Sequence, residues 1–143
     1  MRKISAALLI WMLVPIWSYG GSDTNELTLF TYQTRGPVYE WRVTQAKLLA
    51  TPAWDISTQK VPLAPERAWD IAKRWLEAHG MGGSTLVQIA IAPVFRKGES
   101  DRYDKRLEER YHYRIAVVPA PLDRMAVVVL MDGTVVEPHP PPE

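Results

Sequence analysis

The chain has 143 residues, 47% of them hydrophobic and 23% charged, which suits one packed domain and excludes wholesale disorder. Its formal charge is +1; Arg2 and Lys3 supply two of the 17 basic groups and no acid precedes Asp23, so the rest of the chain is close to neutral and carries no electrostatic footprint for nucleic acid or an anionic membrane. The absence of cysteine excludes disulfides, thiolate metal sites and cysteine nucleophiles.

Residues 1–20 read as a signal peptide: a basic start at Arg2-Lys3, an apolar run from Ile4 to Trp17, and the small residues Ser18 and Gly20 around a cut after Gly20. The competing reading, a retained anchor, is opposed by a run shorter than the roughly 20 residues a bilayer needs and interrupted by Pro15. Export to the periplasm or the exterior is therefore expected, with no stable membrane insertion after cleavage. Residues 21–26 are a polar leader, residues 27–137 a single domain, and the proline-rich residues 138–143 an extended tail with nothing to pack.

Within the domain, Leu27 to Tyr32 alternates as a strand, and Arg35-Gly36-Pro37 breaks it. Val38 to Leu49 predicts a second strand, with Tyr39, Trp41 and Val43 on one face and Glu40, Arg42 and Thr44 on the other. Thr51 to Pro62 is a loop that Trp54 is expected to pin to the core.

A helix begins at Ala64-Pro65-Glu66, with proline in its first turn and an acid where the dipole favours one. Ala68, Ile71, Ala72 and Trp75 form its apolar stripe, and Gly80 ends it in a left-handed conformation. Trp75 is expected to be buried, and Trp69 to lie at the stripe's edge.

Strands are predicted at Thr85–Phe95, Tyr111–Pro119, Met125–Met131 and Thr134–Val136. Met125–Met131 is so apolar that it belongs inside the sheet, and Asp132-Gly133 is a hairpin turn. Arg96–Arg110 is dense in charge and reads as a solvated connection. The order of two strands, one helix and four strands predicts an α+β fold, one helix covering one face of a curled antiparallel sheet.

The residues that carry chemistry are sparse. His79, His112 and His139 share no metal-binding spacing; His79 suits the end of the helix as a cation, and His112 is expected on a wet strand face. Ser57, Ser84 and Ser100 stand in no nucleophile motif. The acids sit in wet surroundings, Asp55 and Asp132 being the two in question, and Asp132 is explained by its turn. No catalytic residue, metal or cofactor is expected. The aromatic residues are numerous, and they either fill the core or form a contact surface; Trp69 and Tyr103 are the candidate protein-binding residues.

The run from Ala68 to Val136 resembles PepSY-like domains of bacterial exported proteins, through Ala68-Trp69-Asp70-Ile71-Ala72 and Val128-Val129-Leu130-Met131-Asp132-Gly133-Thr134-Val135-Val136. Tyr39-Glu40-Trp41-Arg42-Val43-Thr44 is similar to a group of small exported bacterial proteins of unknown function. The resemblance implies a cystatin-like sheet curled around one helix, although the Gln-x-Val-x-Gly loop of true cystatins is missing. It also implies binding or inhibition of an envelope protein, often a protease. The sequence thus reads as a non-catalytic binding or regulatory module of the cell envelope. A self-associating structural component and, less favoured, a small enzyme using the sheet's concave face are the alternatives, and fold alone does not choose among them.

Overall fold

A computed structural model describes residues 25–33, 36–95, 103–118 and 126–140. The expected signal peptide, most of the leader and the last three residues of the tail lie outside these.

Alternating apolar residues set the strands β1 (Glu26–Gln33) and β2 (Val38–Thr44), and helix-forming Gln-Ala-Lys-Leu-Leu-Ala sets α1 (Gln45–Ala50). Helix α2 (Pro65–Ala78) is followed by β3 (Thr85–Pro93), a 3₁₀ helix (Lys105–Glu109), β4 (Tyr111–Val118), β5 (Ala126–Leu130), β6 (Val135–Val136) and β7 (Pro138–His139). The strands make two antiparallel sheets, a front sheet of order β1-β2-β7 and a back sheet of order β3-β4-β5-β6. The protein is α+β, as expected, but with two helices and two sheets in place of one helix on one curled sheet.

The second sheet exists because an apolar sheet has two faces to cover. On one face of the back sheet, Tyr113, Ile115, Val117, Val127 and Val129 pack under Ala68, Ala72 and Leu76 of α2. The helix carries alanine where it meets the sheet, and both alanines are fully buried. On the opposite face, Val128, Leu130 and Val136 meet Leu27, Leu29 and Trp41 of the front sheet, with Leu48 of α1 and Leu107 of the 3₁₀ helix. Every residue of β5 is therefore buried, which accounts for its unbroken apolar run.

Four expectations are corrected. Val38–Leu49 is a strand only to Thr44, whose hydroxyl accepts a 3.2 Å bond from the Lys47 amide and caps α1. The charged connection is not all solvated: its Leu107 is fully buried and anchors the 3₁₀ helix. The tail is not without packing, since Pro138 and His139 pair with Trp41 and Glu40. Trp75 is half-buried, its indole N–H donating to Glu137 across 2.7 Å; a ring that keeps a polar partner sits at the margin of the core.

The turns behave as read. Gly80 ends α2 at φ +72°, and Gly133 turns β5 into β6 at φ +86°. The Asp132 carboxylate accepts from the Thr134 amide at 3.0 Å and from Lys47 of α1 at 2.6 Å.

Candidate functional site

Three separated pieces of chain converge at the 3₁₀ helix: the loop at Trp54, the end of β3, and the stretch from Tyr103 to Tyr111. Trp54 is held there by its amide, which donates to the Glu109 carbonyl at 2.9 Å, and by its indole N–H, which donates to the Gln59 carbonyl at 3.0 Å. Its ring meets Tyr111 edge-on with centroids 5.1 Å apart. Trp54 thus pins the loop, but half-buried against Tyr111 and the 3₁₀ helix, not within either core cluster as its size had suggested. Val94 donates to the Arg110 carbonyl at 2.9 Å, which brings the end of β3 to the same place, and Phe95 stacks on Tyr103 at 4.8 Å.

Between these residues lies an open cleft of about 740 Å³, in the size range of small-ligand and peptide sites. Trp54, Ile56, Pro93, Phe95 and Tyr111 give it apolar walls, and the acidic residues Asp55, Glu108 and Glu109 also line it. Ile56 is 62% exposed, an apolar side chain held out into water on a structured turn. That turn is built by Asp55, whose carboxylate accepts from the Ser57 amide at 2.9 Å, the Ser57 hydroxyl at 2.6 Å and the Thr58 hydroxyl at 2.8 Å. These hydrogen bonds favour the anion and lower the Asp55 pKa below the ordinary carboxylate range, the Ser57 hydroxyl contributing most.

The two residues singled out from sequence fall in different places. Tyr103 lies beside the cleft, 38% exposed and stacked on Phe95. Trp69 is remote from it on α2, half-buried against the helix-side core, with the Lys73 ammonium 5.7 Å from its ring centre. The surrounding helix face is a shallow charged depression of about 300 Å³ between Arg67, Asp70, Lys73, Arg74 and Glu77, not a flat aromatic patch. The cleft itself escaped the sequence because its walls come from distant segments. Its one local signal was Trp54 followed by Asp55 and Ile56, an aromatic and an aliphatic residue in an otherwise polar loop.

None of the histidines lines the cleft. His79 caps α2, stacked on Trp75 at 4.1 Å, with Nδ1 2.7 Å from the Trp75 carbonyl oxygen; that oxygen can only accept, so Nδ1 carries the proton. His139 lies in β7.

His112 is the departure. Expected on a wet face, it is fully buried between the two sheets because the front sheet covers that side of β4. Burial, aided by the neighbouring Arg114 charge, drops its pKa to about 3, so it is neutral in ordinary buffers. Its Nε2 accepts from Arg114 Nε at 3.1 Å, while Arg114 Nη2 donates to the Leu29 carbonyl at 2.8 Å and the guanidinium lies 5.1 Å from the centre of the Phe30 ring. Arg114 therefore ties the back sheet to the front one. Among the described residues, no three or more histidines, acids or cysteines are grouped to hold a metal ion.

Compared with protein-family models, curated proteins and solved structures, the chain matches none.

Proposed function

We propose that this chain is a non-catalytic binding or regulatory module of the bacterial cell envelope, exported by its N-terminal segment, PepSY-like in its second half, and that it meets its partner at the cleft beside the 3₁₀ helix. The observation that carries this reading is the cleft itself: Trp54, Tyr111 and Phe95 set around an open space, with Ile56 exposed at its border. Aromatic side chains fixed in place before binding are the residues on which binding energy concentrates, because little rotamer freedom is lost when the partner arrives. The hydrogen bonds of Trp54 supply that fixing.

The test is a crosslinked pull-down from envelope extract with the mature protein. Ile56→Arg, a substitution at an exposed turn, is expected to reduce partner recovery at least tenfold without changing the melting temperature. Unchanged recovery with Ile56→Arg, together with loss in Trp69→Ala, moves the contact to α2.

One observation favours self-association as a second reading. Strand β3 edges the back sheet, carries no charged residue over Thr85–Pro93, and exposes Val87 at 61% and Ile91 at 37%. Edges of this kind pair with other chains unless something blunts them. A dimer in sedimentation that Val87→Lys dissolves supports this second reading.

A further inference from the structure

We infer that two copies of the chain join edge to edge through β3, antiparallel about a two-fold axis at Ala90, so that two back sheets become one continuous sheet; this rests on the self-association reading above. Among the described residues, the other three sheet edges are short or spoiled. Strands β6 and β7 have two residues each, and β1 breaks register at Leu29, whose carbonyl accepts from Arg114 at 2.8 Å. A bulge that gives its carbonyl to a side chain no longer offers a regular ladder. Strand β3 runs for nine residues with no charge, and its Val87 and Ile91 are 61% and 37% exposed. A two-fold axis sets a strand against itself, so a charged edge would meet its own sign there, and β3 does not.

The register follows from where the backbone groups point. The Val94 amide donates to the Arg110 carbonyl at 2.9 Å, so Val94 faces β4. Antiparallel backbone groups alternate, which turns those of Ala92 and Ala90 toward β4 and those of Pro93, Ile91 and Ile89 toward the open edge. Pro93 has no amide hydrogen to donate. At the other end the register shifts between Leu86 and Gln88, and Val87 has no counterpart in β4. The regular positions between these two limits are Ile89 and Ile91. An axis at Ala90 sets each against the other in the second copy, so that both pairs exchange N–H···O bonds in both directions. An axis at Ile91 would set Ile89 against Pro93 and leave both Ile89 carbonyls without a donor. An axis at Ile89 would set Ile91 against Val87 in the bulge. Placed on the axis, Ala90 forms the non-hydrogen-bonded pair, where Cα atoms come within about 4.5 Å and a methyl side chain suits the spacing. On the helix side of the sheet, Ile89 of one copy then lies beside Ile91 of the other.

The chain has no cysteine, so one introduced thiol reports on the axis alone. A disulfide needs Cα atoms roughly 4.4–6.8 Å apart, which residues paired on the axis satisfy. Sedimentation of the mature protein at rising concentration is expected to show a dimer. Under mild oxidation with glutathione disulfide, Ala90→Cys is expected to form a covalent dimer at least tenfold faster than Ile89→Cys, Ile91→Cys or the helix-surface control Lys73→Cys, each checked by circular dichroism for an intact fold. Reduced Ala90→Cys is expected to sediment as the unaltered protein does. A monomer at every concentration overturns the inference and the self-association reading together. A dimer that links fastest through Ile89→Cys or Ile91→Cys overturns the axis at Ala90, and a dimer that none of the three links overturns the pairing of β3 with itself. In both of those cases Val87→Lys judges the underlying reading separately, which stands if that variant dissolves the dimer.

Discussion

The two faces of the back sheet are built to different rules. Under α2 the fully buried contact is nearly all hydrocarbon, with Ala68, Ala72 and Leu76 over Tyr113, Ile115, Val117, Val127 and Val129, and the Tyr113 hydroxyl reaches the Leu63 carbonyl at 2.5 Å. Under the front sheet the hydrocarbon is interrupted by His112 and Arg114, joined to each other and to the β1 backbone. A hydrocarbon face is indifferent to pH. A face with a buried neutral imidazole beside a guanidinium is stable only while the imidazole stays neutral. The front sheet, not the helix, is therefore the part whose attachment is expected to respond to acid.

The largest expected effect is on the front face. Trp41 is 1% exposed, in tilted contact with Phe30 at 5.1 Å, so Trp41→Ala should lower stability by about 3–5 kcal/mol. Denaturant titration measures this; a loss below 1 kcal/mol would mean that the front sheet contributes little to the fold. Trp75→Ala should cost less than Trp41→Ala, because Trp75 is only half-buried.

The His112 pKa is near 3 in the folded protein and near 6.5 in an exposed histidine, so the unfolded chain binds the extra proton between those values. The stability that depends on neutral His112 is fully present above about pH 6.5, declines by about 1.4 kcal/mol per unit as pH falls below that, and is gone near pH 3. His112→Gln should be less stable at pH 7 yet show a slope between pH 6 and 4 shallower by that amount. Parallel slopes for the two proteins would place the acid sensitivity elsewhere, in carboxylates common to both.

The helix-side face can be probed at its turn. Gly133 has φ +86°, and a Cβ added there would lie 3.2 Å from Ile71 Cδ1 of α2. Gly133→Ala should cost about 1–2 kcal/mol, mostly from the left-handed backbone, and the cost should not vary with pH. The smallest effect is expected at Lys47–Asp132, a 2.6 Å ion pair with both side chains partly in water. Lys47→Ala should change stability by less than about 1 kcal/mol, and less still at high salt.

These differences also explain what could be read from the chain. The α2 face follows from local pattern: proline at the start, apolar residues at helical spacing, Gly80 at the end, and a hairpin turn at Asp132-Gly133. The other face does not. Whether His112 is wet depends on a sheet made of residues far away, and period-two alternation in β4 names two faces without saying what covers each. Leu107 stands alone among charges, so its burial leaves no periodic trace. Helix α1 did carry a sign in Thr44, three residues before Lys47, but the preceding alternation masked it. The cleft is a product of tertiary structure in the same sense. Trp54, Phe95 and Tyr111 each had a local reading, and it takes the β3–β4 pairing with the hydrogen bonds from Trp54 to Glu109 and from Val94 to Arg110 to bring them together.

The chain passes from the back sheet at Val136 to the front sheet at Pro138, with Glu137 between them holding the Trp75 indole. The front sheet is thus a hairpin from the start of the described chain completed by a strand from its end. Pairings so distant in sequence close late, since the entropy of the intervening loop must be overcome before the contact can return any energy. The α2–back-sheet half, built from neighbours in sequence, can assemble first, while the front hairpin waits for β7. Until then His112 and Arg114 stay hydrated, and a histidine that is protonated in that interval must give up its proton before the sheets can close. Refolding is therefore expected to slow as pH falls below about 6.5, where the histidine of the open chain takes up a proton, and stopped-flow refolding at pH 7 and pH 5 measures this.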